Sequence, residues 1–328
     1  MDRVTLLNRW QHAFPLVPAP FAAIAEALGS SEPEVIAAFR DARDSGALSR
    51  IGGVWAAGAG GAALLCALAV PARRLAAVAA RVDAVPGVNH NYEREHRYNL
   101  WFVITGHDAA TLHDRLDALE RDTGLSALRL PMQRVYRIDL GFDLERGQAA
   151  PRPAASAAAV PRVAPIDAPL AALVEDGLPL VERPYAAWAE RLGLSETGVL
   201  QTLRRWLAQG TLRRFGVVVR HHELGFDQNA MTVFDVPDAQ VDACGAALAR
   251  QPGVTLCYRR ARADGWPFNL YAMVHGRSRA DVHGAVTAAA AAASLDGLPH
   301  QRLFSTRRFK QQGGQFFRAA DPELGHAG

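Results

Sequence analysis

Between His90 and Arg94 the chain reads HNYER, which puts a histidine, a tyrosine and an arginine at every second position. In an extended strand alternate residues share a face, so His90, Tyr92 and Arg94 project together. A second stretch, LCYRR, repeats the pattern as Leu256, Tyr258 and Arg260, keeping the tyrosine and the arginine but not the histidine. Further guanidinium groups crowd the same places: Arg97 beside the first row, Arg259 and Arg262 beside the second. Arginine grips carboxylates in a bidentate fashion, and histidine exchanges a proton near neutral pH. With Tyr92, Tyr258, Trp101 and Trp266 as flat apolar surfaces, such a set suits a ligand that has several carboxylates around a broad apolar body. The plain alternative is a solvated sheet face, on which tyrosine and arginine are ordinary.

A second loss complements the first. After Gly216 the chain reads VVVRHHELGF and presents Arg220 and His221, whereas the matching place after Gly52, GVWAAGAGGA, has no basic residue. One copy keeps His90 and the other keeps His221, which points to a single composite site drawing on both; scattered histidines on a divergent scaffold are the competing reading. No Gly-rich phosphate loop, Ser-His-Asp set or spaced metal-ligand cluster is present in the sequence, and the three cysteines, Cys66, Cys244 and Cys257, are isolated and read as reduced core thiols.

The elements that must carry these residues form a duplication. FPLVPAPFAAIAEALG from Phe14 aligns without gaps with LPLVERPYAAWAERLG from Leu178 at an offset of 164, and the match continues through Gly46, Arg50 and Gly52 against Gly210, Arg214 and Gly216. Pro86-Gly87-Val88 then matches Pro252-Gly253-Val254, and Asn99-Leu100 matches Asn269-Leu270. Each half opens with two amphipathic helices at helix-turn-helix spacing and a short β wing, then alternates as βαββαβ. The fold class is therefore α+β, a tandem duplication in which each half is a winged helix-turn-helix followed by a ferredoxin-like domain. The boundaries expected are 1–55 and 56–144 for the first pair, a Pro/Ala-rich linker over 145–169, 170–222 and 223–318 for the second pair, and a tail over 319–328.

With 328 residues, 49% of them hydrophobic and 21% charged, the chain supports several cores. A net charge of +3 does not suggest a wholesale polyanion trap. The apolar run from Val54 to Val70 is interrupted by glycines and reads as a buried strand, so no membrane partner is expected. No export signal opens the sequence, so a cytoplasmic location is expected. DNA is an unfavoured partner: the first candidate recognition segment, PEVIAAFRDARDSG, sets two arginines against three acids, and the second, with Arg204 and Arg205, differs too much from it to read symmetric half-sites.

The stretches GVNHNYEREHRYNLWFVITG, RRFGVVVRHHELGF, CYRRARADGWPFNLYAMVHG and LFSTRRFK resemble the siroheme decarboxylases, relatives of the Lrp/AsnC regulators, over both halves. The resemblance implies a fused form of a two-subunit enzyme that removes the C12 and C18 acetate carboxylates of siroheme to give didecarboxysiroheme. It implies no added cofactor and no protein-held metal, the iron arriving within the substrate. The first wing, IGGVWAAGAGGAALL, departs from the family's RH-x-x-LG pattern. On this reading His90 is the first candidate proton donor and His221 the second, and either could instead approach the substrate iron. Arg94, Arg220, Arg259, Arg260 and Arg308 are expected to hold retained carboxylates, Tyr92 and Tyr258 to hydrogen-bond a carboxylate or orient the histidine, and Trp266 to contact the substrate. A homodimer is compatible with the duplicated sheets. The rival classes are a DNA-binding regulator and a non-catalytic tetrapyrrole carrier.

Overall fold

The computed structural model describes residues 2–138, 160–219 and 228–317. The first half runs α1 (Arg3–Arg9), α2 (Pro20–Leu28), α3 (Glu32–Asp44), β1 (Leu48–Trp55), β2 (Ala62–Leu68), α4 (Leu75–Ala84), β3 (Val88–Arg94), β4 (Leu100–Gly106), α5 (Ala109–Thr123) and β5 (Leu128–Ile138). The second repeats it as α6 (Ala168–Asp176), α7 (Pro184–Leu192), α8 (Glu196–Ala208), β6 (Leu212–Val219), β7 (Gln228–Phe234), α9 (Val241–Ala249), β8 (Val254–Arg260), β9 (Leu270–Gly276), α10 (Arg279–Ala292) and β10 (His300–Gln311). The helix-turn-helix punctuation is the same in both copies. Pro20 and Pro184 open α2 and α7, where a missing N–H costs nothing, and Gly29 and Gly193 close them in the left-handed conformation.

The wings do not close on themselves. β1 and β6 pair antiparallel with each other, Gly52 opposite Gly216, so each half supplies one strand of a shared two-stranded sheet. Bare backbone is needed there: a Cβ on Gly52 would meet the Val174 carbonyl at 2.6 Å, and one on Gly216 would meet the Trp10 and Gln11 carbonyls at 2.5 Å. The two helical modules consequently share a core, in which Phe14, Phe21 and Phe39 join Tyr185, Trp188 and Phe215.

The two ferredoxin-like sheets also merge, into a closed eight-stranded barrel of order β10-β3-β4-β2-β5-β8-β9-β7. The last strand of each half makes the closure. β5 pairs with β2 through Leu128–Pro131 and then with β8 of the other half through Met132–Ile138. β10 likewise pairs with β7 through His300–Phe304 and with β3 through Ser305–Gln311. Closure leaves the barrel itself without an open strand edge among the described residues. α4 and α5 cover the outside of the first sheet, α9 and α10 the outside of the second, and the barrel interior holds Trp101, Trp266, Tyr271, Leu130 and Leu303. No described helix is long and apolar enough to cross a membrane.

Candidate active site

β3 delivers the first row as alternation requires. Asn91 points outward to α4, donating to the Ala79 carbonyl and the Asp83 carboxylate at 3.2 and 2.9 Å, so His90, Tyr92 and Arg94 face the barrel interior. The three form a ladder: the His90 and Tyr92 rings lie 6.3 Å apart and 22° from parallel, and the Arg94 guanidinium sits 5.5 Å from the Tyr92 ring centre. Opposite them on β10 stand Gln311, Arg308 and Ser305, with the Arg308 guanidinium donating to Gln311 Oε1 at 3.1 Å.

Arg94 reaches into the other half, donating to the Leu303 carbonyl at 2.9 Å and to Asn229 Oδ1 at 3.4 Å. Its burial pulls the guanidinium down to about 10. Arg260, its counterpart on β8, donates to the Leu130 carbonyl at 2.8 Å and lies 5.3 and 5.8 Å from the rings of Tyr258 and Tyr271. The Nε–H groups of both arginines are buried with no hydrogen-bond partner among the described residues, which leaves a donor on each for an anionic guest.

Arg50, which the sequence marked only as a repeat match with Arg214, enters the site from β1. It donates to the Gly53 carbonyl at 3.1 Å, and a Cβ on Gly313 would fall 2.6 Å from its Nη1, so the segment after β10 lies directly against the guanidinium. Burial, Arg50 and Arg94 together push His90 down to about 4, and burial also raises the Tyr92 hydroxyl. Behind Arg50 lies the Glu175 carboxylate of α6, which accepts the Phe316 and Phe317 N–H groups at 2.9 and 3.3 Å and is pushed up to about 7 by burial.

Two expected ligand residues are placed elsewhere. Arg259 follows Tyr258 by one position and therefore faces outward, 3.5 and 3.6 Å from the Asp238 and Asp242 carboxylates. Trp266 is 1% exposed, donates to the Tyr271 hydroxyl at 2.6 Å and is enclosed by Trp101, Tyr98, His96 and Phe268, so it is core packing. Arg220 and His221 lie outside the described residues. Besides Arg50, the sequence reading missed Asn89, Asn229 and Gln311: Asn229 and Gln311 gain meaning only from pairing with a strand of the other half, and Asn89 from Thr105 across the β3–β4 pair. No group of His, Cys, Asp and Glu among the described residues could hold a metal ion. On α8, Arg204 donates to the Leu16 carbonyl at 2.5 Å and Arg205 to Asp167 at 2.7 Å, so both basic groups of that recognition position are engaged within the chain.

Comparison with known proteins gives two family matches. The siroheme decarboxylase NirDL-like HTH domain matches residues 4–48 and 167–213, and the AsnC-like ligand binding domain matches 59–137 and 223–310. The chain is 46% identical over 312 residues to the siroheme decarboxylase NirDL subunit of Paracoccus denitrificans, covering 94% of this chain and 95% of the relative. It is 55% identical over 139 residues to the siroheme decarboxylase NirD subunit of Stutzerimonas stutzeri, covering 42% of this chain and 91% of that one. Among solved structures it superposes on the siroheme decarboxylase NirDL in co-complex with an iron-uroporphyrin III analogue, with a TM-score of 0.69, 27% identity and coverage of 97% and 94%.

Proposed function

The chain belongs to the siroheme decarboxylases and is a carboxy-lyase, and from that premise we propose that it removes the carboxyl groups of the C12 and C18 acetates of siroheme to give didecarboxysiroheme. The observation that carries this reading is the buried ladder His90–Tyr92–Arg94 flanked by Arg50 and Arg308, with Asn229 of the other half touching Arg94. A composite, cationic, aromatic-lined recess suits a flat polycarboxylate. A relative's complex with an iron-uroporphyrin III analogue supports the same ligand class.

Losing CO2 from a pyrrole acetate leaves an electron pair on the exocyclic carbon, which must take up a proton to become a methyl group. His90 supplies that proton, with His221 as the second candidate. Arg94, Arg260, Arg308 and Arg220 hold carboxylates that stay, since an arginine on the departing group would stabilise the ground state and oppose the reaction. Tyr92 and Tyr258 hydrogen-bond a carboxylate or orient the histidine. The iron comes with the substrate and no further cofactor is required. The enzyme works in the cytoplasm, with the domain division 1–55, 56–144, 170–222 and 223–318, and can dimerise further.

The test is an anaerobic incubation of the purified chain with siroheme, followed by mass spectrometry of the extracted tetrapyrrole. Loss of two carboxyl groups is expected. Unchanged siroheme that co-elutes with the protein would leave a carrier instead.

A further inference from the structure

We propose that Asn89 is the positioning residue of this site: it holds His90 as the Nδ1–H tautomer, so that Nε2 alone receives a proton and passes it to the substrate carbon. The inference rests on the decarboxylation reading for its last step and on geometry for the rest.

The amide of Asn89 has one possible orientation. Its Nδ2 donates to the Gly87 carbonyl at 3.2 Å and to Thr105 Oγ1 at 3.0 Å, and a carbonyl can only accept. Oδ1 therefore faces His90, 2.6 Å from Nδ1, and can only accept there. Nδ1 must carry the hydrogen, and in the neutral ring Nε2 then carries the lone pair. Thr105 is itself held: its hydroxyl accepts the Gln315 N–H at 3.1 Å, and the Gln312 N–H donates to the Asn89 carbonyl at 2.7 Å. The chain after β10 thus braces the residue that sets the tautomer, and Glu175 fastens that chain through Phe316 and Phe317.

The duplication supplies an internal control. Position 89 corresponds to Thr255, 90 to Leu256 and 105 to His275. Where the histidine of the row is absent, the amide is absent too, and the Thr255 hydroxyl lies 3.2 Å from both the Met273 carbonyl and the Nδ1 of His275, the counterpart of Thr105. Asn89 therefore goes with His90 rather than with the turn after Gly87, which both halves share.

The charged and titratable groups around His90 are Arg50 from β1, Tyr92 and Arg94 from β3 and Arg308 from β10, with Glu175 of α6 behind Arg50. In the ligand-free protein burial, helped by Arg50 and Arg94, keeps the ring neutral. Substrate carboxylates offset their charge, and Nε2 then takes a proton from solvent. When the C–C bond to the carboxylate breaks and CO2 departs, the electron pair left on the methylene carbon takes that proton, a C–H bond forms, and His90 returns to the neutral Nδ1–H ring. One proton is consumed for each CO2 released.

The experiment is nitrogen-15 imidazole spectroscopy of the ligand-free full-length chain, with His90 assigned by its loss in His90→Gln, alongside steady-state decarboxylation. The expected result is an Nδ1–H ring in the parent protein. In Asn89→Thr, the residue the second half carries, the tautomers mix and kcat falls about ten- to a hundredfold with KM nearly unchanged. Asn89→Asp keeps an acceptor at Nδ1, so it retains the tautomer while raising the ring's titration midpoint and moving the alkaline limb of the kcat profile upward with it. An Nε2–H ring in the parent protein, or an unaltered ring and kcat in Asn89→Thr, overturns the proposal. An Nδ1–H ring in a protein that leaves siroheme intact overturns the decarboxylation reading and the catalytic use of Nε2, but not the tautomer assignment.

Discussion

His90 is the residue on which the chemistry turns, and two measurements follow from its surroundings. His90→Ala keeps the arginines and Tyr92, so siroheme still binds, but turnover falls about 10²- to 10⁴-fold with the loss of the positioned acid. Unchanged turnover in a single-turnover assay would remove His90 from the mechanism. The same burial that tunes the ring also costs stability in acid. The folded ring titrates near 4, against 6.5 when unperturbed. Between those values the unfolded chain binds a proton that the folded chain does not, so stability is complete above about pH 6.5 and falls as pH drops toward 4. The full loss is about 3 kcal/mol, and urea unfolding should show this part of the acid slope vanish in His90→Gln. At this scale strand alternation made His90, Tyr92 and Arg94 legible in the sequence. Arg259 broke the reading because a count of guanidiniums ignores that neighbours on a strand face opposite ways. Arg50 stayed hidden because nothing local announces that a wing strand will arrive beside His90.

The strands β5 and β10 show what a pattern of elements leaves undetermined. The repeated βαββαβ order called for both strands, and helix-turn-helix punctuation located α2, α3, α7 and α8. The choice of partner strand is not encoded in periodicity, so neither the β1–β6 pairing nor the barrel closure was readable. Arg94 and Arg260 fasten that closure, each donating to the carbonyl of a crossing strand, Leu303 or Leu130. Removing one leaves a buried carbonyl short of a charged donor and a hole beside Tyr258 and Tyr271. Arg260→Ala should therefore destabilise the chain by about 3 kcal/mol, while Arg260→Met, which fills the space without a charge to bury, should cost clearly less. Denaturant midpoints for the two variants decide this; equal losses would mean that packing plays no part.

Across the whole molecule the duplication is symmetric in backbone and asymmetric in chemistry. The register allows the two inward rows to be compared position by position. His90 stands opposite Gln311 and Tyr92 opposite Arg308, whereas Leu256 stands opposite Ile138 and Tyr258 opposite Val135. Each polar partner of the first row is aliphatic in the second. A polycarboxylate placed against the second row alone would find Arg260 and Tyr258 but no counterpart of His90, Gln311 or Arg308, and each carboxylate left unpaired there would cost several kcal/mol. One chain should therefore bind one siroheme, the second row contributing Arg260 and an otherwise aliphatic wall to that one site. Titration under anaerobic conditions, read by the absorbance of the bound tetrapyrrole, should saturate at one equivalent. Leu256→His should not raise that number, because Ile138 and Val135 remain in place; a second equivalent in either protein would show that the aliphatic row is itself a binding surface.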